Sequence, residues 1–156
     1  MKLVARSLVD ESWMAEALVE ARLAGAEGEV PIGAVVVFED RVVGRGRNGR
    51  ERLHDPTAHA EILALQEAAR ALGRWRLTGA RIYATLEPCF MCAGALVNAR
   101  IDKLVFAVAD PKAGAVGSLF DVPRDPRLNH RVEVSSGVLA TECSALLRSF
   151  FKDRRK

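Results

Sequence analysis

Apolar residues recur at helical spacing over Val9–Ala24, where Trp13, Met14, Ala17, Leu18 and Ala21 share one face, and Gly25 is placed to close that helix. The pattern then shortens to runs suited to strands. Pro31–Phe38 and Arg41–Gly46 flank a Glu39-Asp40 turn and predict a hairpin. Asp55-Pro56 has the form of a helix start, Asp as N-cap and Pro as first residue, and Gly73 ends the helix it would open. Arg81–Thr85 reads as a strand, Pro88 opens a helix reaching about Asn98, and Lys103–Val108 is a further strand. The stretch 109–130 reads mostly as loop, Arg131–Ser135 as a fifth strand, and Val138–Arg155 as an amphipathic helix carrying Leu146, Leu147, Phe150 and Phe151. Strands alternating with helices after an initial hairpin imply an α/β protein in three layers, a mixed sheet with helices on both faces. No repeat or linker interrupts the pattern, so 1–156 reads as one domain.

Composition narrows the class. The 156 residues are 49% apolar and 28% charged, which excludes disordered and low-complexity chains and leaves ample sequence for a core without disulfide staples. Runs such as Gly33–Phe38 are too short to span a bilayer. Asp10 and Glu11 fall where a signal peptide needs an apolar run, which predicts a cytoplasmic protein with no membrane partner. Charge is unevenly placed: Arg148, Lys152, Arg154, Arg155 and Lys156 stand against Asp153 alone, so these last nine residues carry +4 in a chain of formal charge +3. Such a tail can touch nucleic acid, or simply complement the dipole at a helix end.

Two segments carry the candidate chemistry, His54-Asp55-Pro56-Thr57-Ala58-His59-Ala60-Glu61 and Glu87-Pro88-Cys89-Phe90-Met91-Cys92, each at a predicted helix start. Cys89 and Cys92, three apart, can grip one metal ion from one helix face, and the free N–H groups there favour thiolates. His59 supplies an imidazole from the other helix start. His59 and Glu61 lie roughly 200° apart on a regular helix, so they converge only on something near its axis at the first turn. Three ligands leave a fourth tetrahedral position for water, the arrangement of catalytic zinc. On this reading His59, Cys89 and Cys92 bind, and Glu61 moves protons.

Other readings compete. C-x-x-C at a helix start also describes a thioredoxin-like redox pair, but that leaves His-Ala-Glu without a use. A closed structural site with His54 as fourth ligand is the other, but His59 and Cys89 are separated by a predicted helix and strand, unlike a compact finger. His130 reads as a loop-shaping residue, Cys143 as a buried thiol, and Trp13 and Trp75 as core or interface residues.

His-Ala-Glu with Pro-Cys-x-x-Cys matches the zinc-dependent nucleobase deaminase signature. With Asn48, the whole His54–Glu61 segment, Thr85-Leu86-Glu87-Pro88-Cys89, Met91-Cys92-Ala93-Gly94-Ala95, Gly114-Ala115-Val116-Gly117-Ser118 and Asn129-His130-Arg131-Val132, the chain resembles the bacterial tRNA-specific adenosine deaminases from about Trp13 to Arg155. The resemblance implies a cytidine deaminase-like fold, three-layer α/β/α around a five-stranded mixed sheet. It implies one zinc per chain, and a homodimer that converts adenosine to inosine at the wobble position of a tRNA anticodon by zinc-activated water. Glu61 would protonate the ring and then the departing ammonia. Asn48, in Gly44-Arg45-Gly46-Arg47-Asn48, is similar to the residue that holds the base edge, although after a strand it also suits a turn. Asp110 and Lys112 fall where family members contact flanking nucleotides, although Asp110-Pro111 alone reads as a turn. Arg47 stands where some relatives carry Trp. Two alternatives share parts of this pattern: a deaminase of free guanine or cytosine compounds, and a noncatalytic zinc-stabilised RNA-binding module. The first has no need of a basic, aromatic final helix, and the second has no use for Glu61.

Overall fold

The strand-like runs assemble into one mixed sheet. β1 (Gly33–Phe38) and β2 (Arg41–Arg47) form the hairpin; β3 (Arg81–Leu86), β4 (Lys103–Val108) and β5 (Glu133–Ser136) complete the spatial order β2-β1-β3-β4-β5. β1 is antiparallel to both its neighbours, whereas β3, β4 and β5 are parallel. The computed structural model describes residues 2–154. At the hairpin tip Glu39 and Asp40 both take positive φ, 49° and 57°, the left-handed pair whose twist matches that of the flanking strands.

Alternation along the strands sorts the four helices into two layers. Val35, Val37, Tyr83, Val105 and Ala107 pack with Met14, Ala17, Leu18 and Ala21 of α1 (Lys2–Ala26) and Cys143 of α4 (Ala140–Arg154). Ala34, Val36, Ile82, Ala84, Leu104 and Phe106 face the opposite side, against Ala64, Leu65 and Ala68 of α2 (Ala60–Leu72) and Ala93, Leu96 and Val97 of α3 (Phe90–Asn98). The architecture is the three-layer α/β/α arrangement around a five-stranded mixed sheet that the sequence resemblance implies, with α1 and α4 on one face and α2 and α3 on the other. No helix among the described residues is long and apolar enough to cross a membrane.

Glycines set how closely the layers approach. A Cβ at Gly46 would lie 2.7 Å from the Ala64 nitrogen and closer still to the Ala60 carbonyl oxygen; one at Gly44 would lie 2.8 Å from the Ala68 nitrogen. Two glycines on one face of β2 therefore let α2 press its first turns onto the sheet. Gly33 does the same for α1 on the other face, where a Cβ would meet the Ala21 nitrogen at 2.5 Å.

The boundaries differ from the sequence reading in instructive places. α2 begins at Ala60, not at Asp55-Pro56, and its N-cap is His59 in extended conformation (φ −81°, ψ 151°). Asp55 is occupied instead in a turn of its own, its Oδ1 accepting from the Thr57 N–H at 2.8 Å and the Thr57 hydroxyl at 2.7 Å. α1 starts earlier than Val9 and runs through Gly25 to Ala26 before the chain turns at Gly28 (φ 82°). Gly73 caps α2 in the left-handed conformation (φ 67°), as its position predicts. Trp13 packs partly buried against the α1-side core, but Trp75 is 61% exposed and so is not a core residue. The His130 Nε2 lies 2.8 Å from the Ile101 carbonyl oxygen and ties the loop before β5 to the segment leading from α3 into β4.

Candidate active site

β3 and β4 end side by side at Leu86 and Val108, and the Glu87 N–H donates to the Val108 carbonyl just beyond them. At this carboxyl edge of the parallel strands, where α/β sheets commonly bind ligands, two helix starts meet. Cys89 is the N-cap of α3, extended at φ −72° and ψ 175°, and Cys92 lies in that helix's first turn. His59, the N-cap of α2, stands opposite. Because both caps lie outside the regular helix, the 200° separation expected of His59 and Glu61 does not apply: His59 swings forward and Glu61 points inward from the first turn.

The His59 Nδ1 is 3.6 Å from the Cys89 Sγ and 3.5 Å from the Cys92 Sγ, and all three atoms lie within 4.8 Å of one another. Tetrahedral bonds of about 2.0 Å to nitrogen and about 2.3 Å to sulfur put an N,S pair of ligands about 3.6 Å apart. The spacing therefore fits one ion held by all three, and two sulfurs with one imidazole are a donor set zinc accepts. The electrostatics agree. The Cys89 thiol is pulled down to about 4, chiefly by the hydrogen bond from Cys92 and further by His59, while Cys92, which keeps the shared proton, is pushed up. His59 is raised, first through its hydrogen bond to Cys89. A divalent cation between the sulfurs would displace that shared proton.

Glu61, 4% exposed, sits beside this cluster. Burial dominates its titration and pushes it up to about 7, against the opposing pull of its own backbone N–H and of His59. A carboxyl poised there exchanges protons readily near neutral pH.

His59, Glu61 and Cys89 line a cavity of about 520 Å³, within the range for small-molecule sites. Asn48, Asp110 and Lys112 line the same cavity, so the structure brings the sequence-derived candidates into one place; Cys92 lies just behind, fully buried. The Asn48 Oδ1 accepts from the Arg50 N–H and its Nδ2 donates to the Val30 carbonyl, both at 3.3 Å, leaving each end one further hydrogen-bonding position. The Asp110 Oδ1 accepts from the N–H groups of Lys112 and Ala113 at 3.0 and 3.3 Å, so it also makes the turn its sequence suggests. Arg47 is not among the lining residues. Its guanidinium pairs with Glu27 and, at 3.5 Å, with Glu20, both on or next to α1, which holds it away from the cavity.

Sequence reasoning missed several contributors. Leu147 and Phe151 of α4 form part of the cavity wall. Glu29, 2% exposed, accepts from the N–H groups of Glu51 and Arg52 at 3.3 and 2.6 Å and so fixes the loop that follows Asn48. Glu87, 3% exposed, does the same for the loop after β4. A second groove, sharing Lys112, Leu147 and Phe151 with the first, is rimmed by Arg148 and Lys152. Arg154 is committed elsewhere: it donates to the Gly28 carbonyl and lies over the Phe150 ring at 4.6 Å. Arg155 and Lys156 lie outside the described residues.

The class follows from comparison with known proteins. The family model of MafB19-like deaminases matches residues 9–155, so this is a deaminase. The tRNA-specific adenosine deaminase of Bacillus subtilis is 50% identical over 147 residues, covering 94% of this chain and 91% of its own; that of Haemophilus influenzae is 49% identical, covering 97% and 88%. A solved structure from studies of A-to-I editing by tRNA:A34 deaminases superposes with TM-score 0.84 at 48% identity, covering 87% of this chain and 99% of that one. The guanine deaminase of Nitrosomonas europaea is more distant, at 28% identity and TM-score 0.76 over 90% of this chain and 83% of its own. The chain belongs to the tRNA-specific adenosine deaminase family.

Proposed function

We propose that this chain hydrolyses adenosine to inosine at the wobble position of a tRNA anticodon, releasing ammonia, as a single zinc-dependent domain. The observation that carries the reading is a buried Glu61, poised near neutral pH, beside a His59-Cys89-Cys92 cluster in the wall of a nucleoside-sized cavity. His59, Cys89 and Cys92 would hold the zinc, whose chemistry when bound is to lower the pKa of water to about 7. Glu61 takes a proton from the attacking water and delivers it to the purine ring; it then takes the proton of the hydroxyl newly added to C6 and passes it to the amino group, which leaves as ammonia while C6 becomes the carbonyl of inosine. Its burial supports this role, because the carboxyl is neither permanently charged nor permanently neutral at the working pH. Asn48 holds the edge of the flipped base with its remaining donor and acceptor positions. Asp110 and Lys112, in the wall of the same cavity, meet the flanking nucleotides, and Arg148 and Lys152 meet their phosphates.

A homodimer in the cytoplasm completes the proposal. Phe90, Leu119 and Phe120, between 54% and 69% exposed at the start of α3 and in the loop that bridges to Cys89, are the apolar surface a second copy would cover. The competing assignment is a guanine deaminase, the activity of the more distant structural relative. Ammonia release separates the two: bulk tRNA should be the productive substrate, with free adenosine and guanine turned over little. Efficient release from guanine with none from tRNA would overturn the assignment.

A further inference from the structure

Glu87 is a buried carboxylate with no part in the chemistry just described, and every hydrogen bond it accepts comes from one loop. Its Oε1 accepts from the Asp110 N–H at 2.9 Å and the Ser118 hydroxyl at 2.5 Å; its Oε2 accepts from the N–H groups of Val116 and Ser118 at 2.9 and 3.1 Å. Four acceptor positions are thus filled by four donors, the full capacity of an ionised carboxylate. The loop closes down on it. A Cβ at Gly114 would come within 2.5 Å of the Glu87 Oε1, so a side chain there would push loop and carboxylate apart. Gly114 also bridges to Cys89, and the Ala115 N–H donates to the Pro88 carbonyl at 2.9 Å. The same loop carries Asp110, Lys112 and Ala113 into the cavity wall.

We infer that Glu87 is a positioning residue, which folds the 109–118 loop around its carboxylate and thereby sets the cavity wall that receives the RNA. The inference rests on the proposed deaminase function and names a determinant of substrate binding within it. A carboxylate is required, because an amide of the same shape has one acceptor oxygen and would point its NH₂ at donors. The loop would then have to open to hydrate its freed N–H groups. The cluster His59, Cys89, Cys92 and Glu61, held by the helix starts, stays assembled.

The test compares parent, Glu87→Gln, Gly114→Ala and the milder Ser118→Ala, each loaded with zinc. In Glu87→Gln, amide hydrogen exchange at Asp110, Val116 and Ser118 should accelerate at least tenfold while zinc remains at one per chain. KM for an anticodon stem-loop RNA should rise at least tenfold, with kcat falling by a smaller factor. Gly114→Ala should reproduce the pattern with the carboxylate intact, and Ser118→Ala should show it in weaker form. Parental exchange at the three amides, loss of zinc, or a defect confined to kcat would each overturn the inference. Should the parent fail to deaminate RNA, the functional proposal falls, and the exchange measurement still decides whether Glu87 orders the loop.

Discussion

Replacing Gly46 by Ala adds one methyl group at the point where β2 supports the start of α2. The new Cβ would stand 2.7 Å from the Ala64 nitrogen and nearer still to the Ala60 carbonyl oxygen, where ordinary contact begins at 3.4 Å. Both obstacles are helix backbone and cannot rotate aside, so α2 must withdraw by roughly 1 Å. Ala60 lies between His59 and Glu61, and that displacement moves both away from Cys89 and Cys92. Overpacking of this kind costs about 1–3 kcal/mol, a fall of about 2–12 °C in Tm for a domain of this size. A misplacement of about 1 Å in a reacting group costs about 10²-fold in rate, so turnover should fall by at least that factor and zinc should bind more weakly. Gly33→Ala is the matched control. It creates a clash of similar size against α1 on the opposite face, with the Ala21 nitrogen at 2.5 Å, and carries no candidate ligand. Melting temperature, zinc per chain and inosine formation should be measured on both. Parental zinc and turnover in Gly46→Ala, or losses no greater than those of Gly33→Ala, would show that Gly46 does not set the position of the α2 start.

Two further outcomes follow from the site's electrostatics. In zinc-free protein, burial pushes Glu61 up to about 7 from an ordinary 4.5, so at this group the unfolded chain ionises first and its own contribution to stability falls as pH rises from 4.5 to 7. Glu61→Gln abolishes that fall, and the metal-free variant should match the parent near pH 4.5 but exceed it at pH 8 by up to about 3 kcal/mol; equal melting curves at pH 8 would refute this. At the groove rim, Arg148→Ala with Lys152→Ala should weaken RNA binding and flatten its log–log salt dependence by up to about 1.4, at about 0.7 per phosphate contact on single strands. Arg154→Ala, whose cation is spent on Gly28 and Phe150, should leave that slope unchanged, and the opposite ranking would show that the rim is misassigned.

Local chemistry made much of this legible before the fold was known. The apolar face of α1, the Glu39-Asp40 turn and the Gly73 cap are decided by residues within a few positions of one another. The His-Ala-Glu and Cys-x-x-Cys groups declare their chemistry by side-chain type and spacing. The start of α2 is ambiguous in the sequence, because Asp55-Pro56 is a valid helix opening and an equally valid turn; the Thr57 hydroxyl closes the turn, and the helix begins only at Ala60. What stayed hidden depends on partners far along the chain. Gly44 and Gly46 acquire a purpose only once α2 packs on β2. Arg47 leaves the cavity because Glu20 and Glu27 on the other side of the hairpin claim it. Glu29 and Glu87 look like surface residues by type, and only the loops folded over them explain two buried carboxylates.

In the proposed function the site divides its labour, three residues holding zinc and Glu61 moving protons. Glu61→Gln tests it most directly, with zinc content, affinity for an anticodon stem-loop RNA and single-turnover inosine formation measured on the same preparation. The variant should keep one zinc per chain and parental RNA affinity while inosine formation falls by about 10²–10⁴ or more. Near-parental inosine formation, or loss of the zinc together with the activity, would overturn that division of roles.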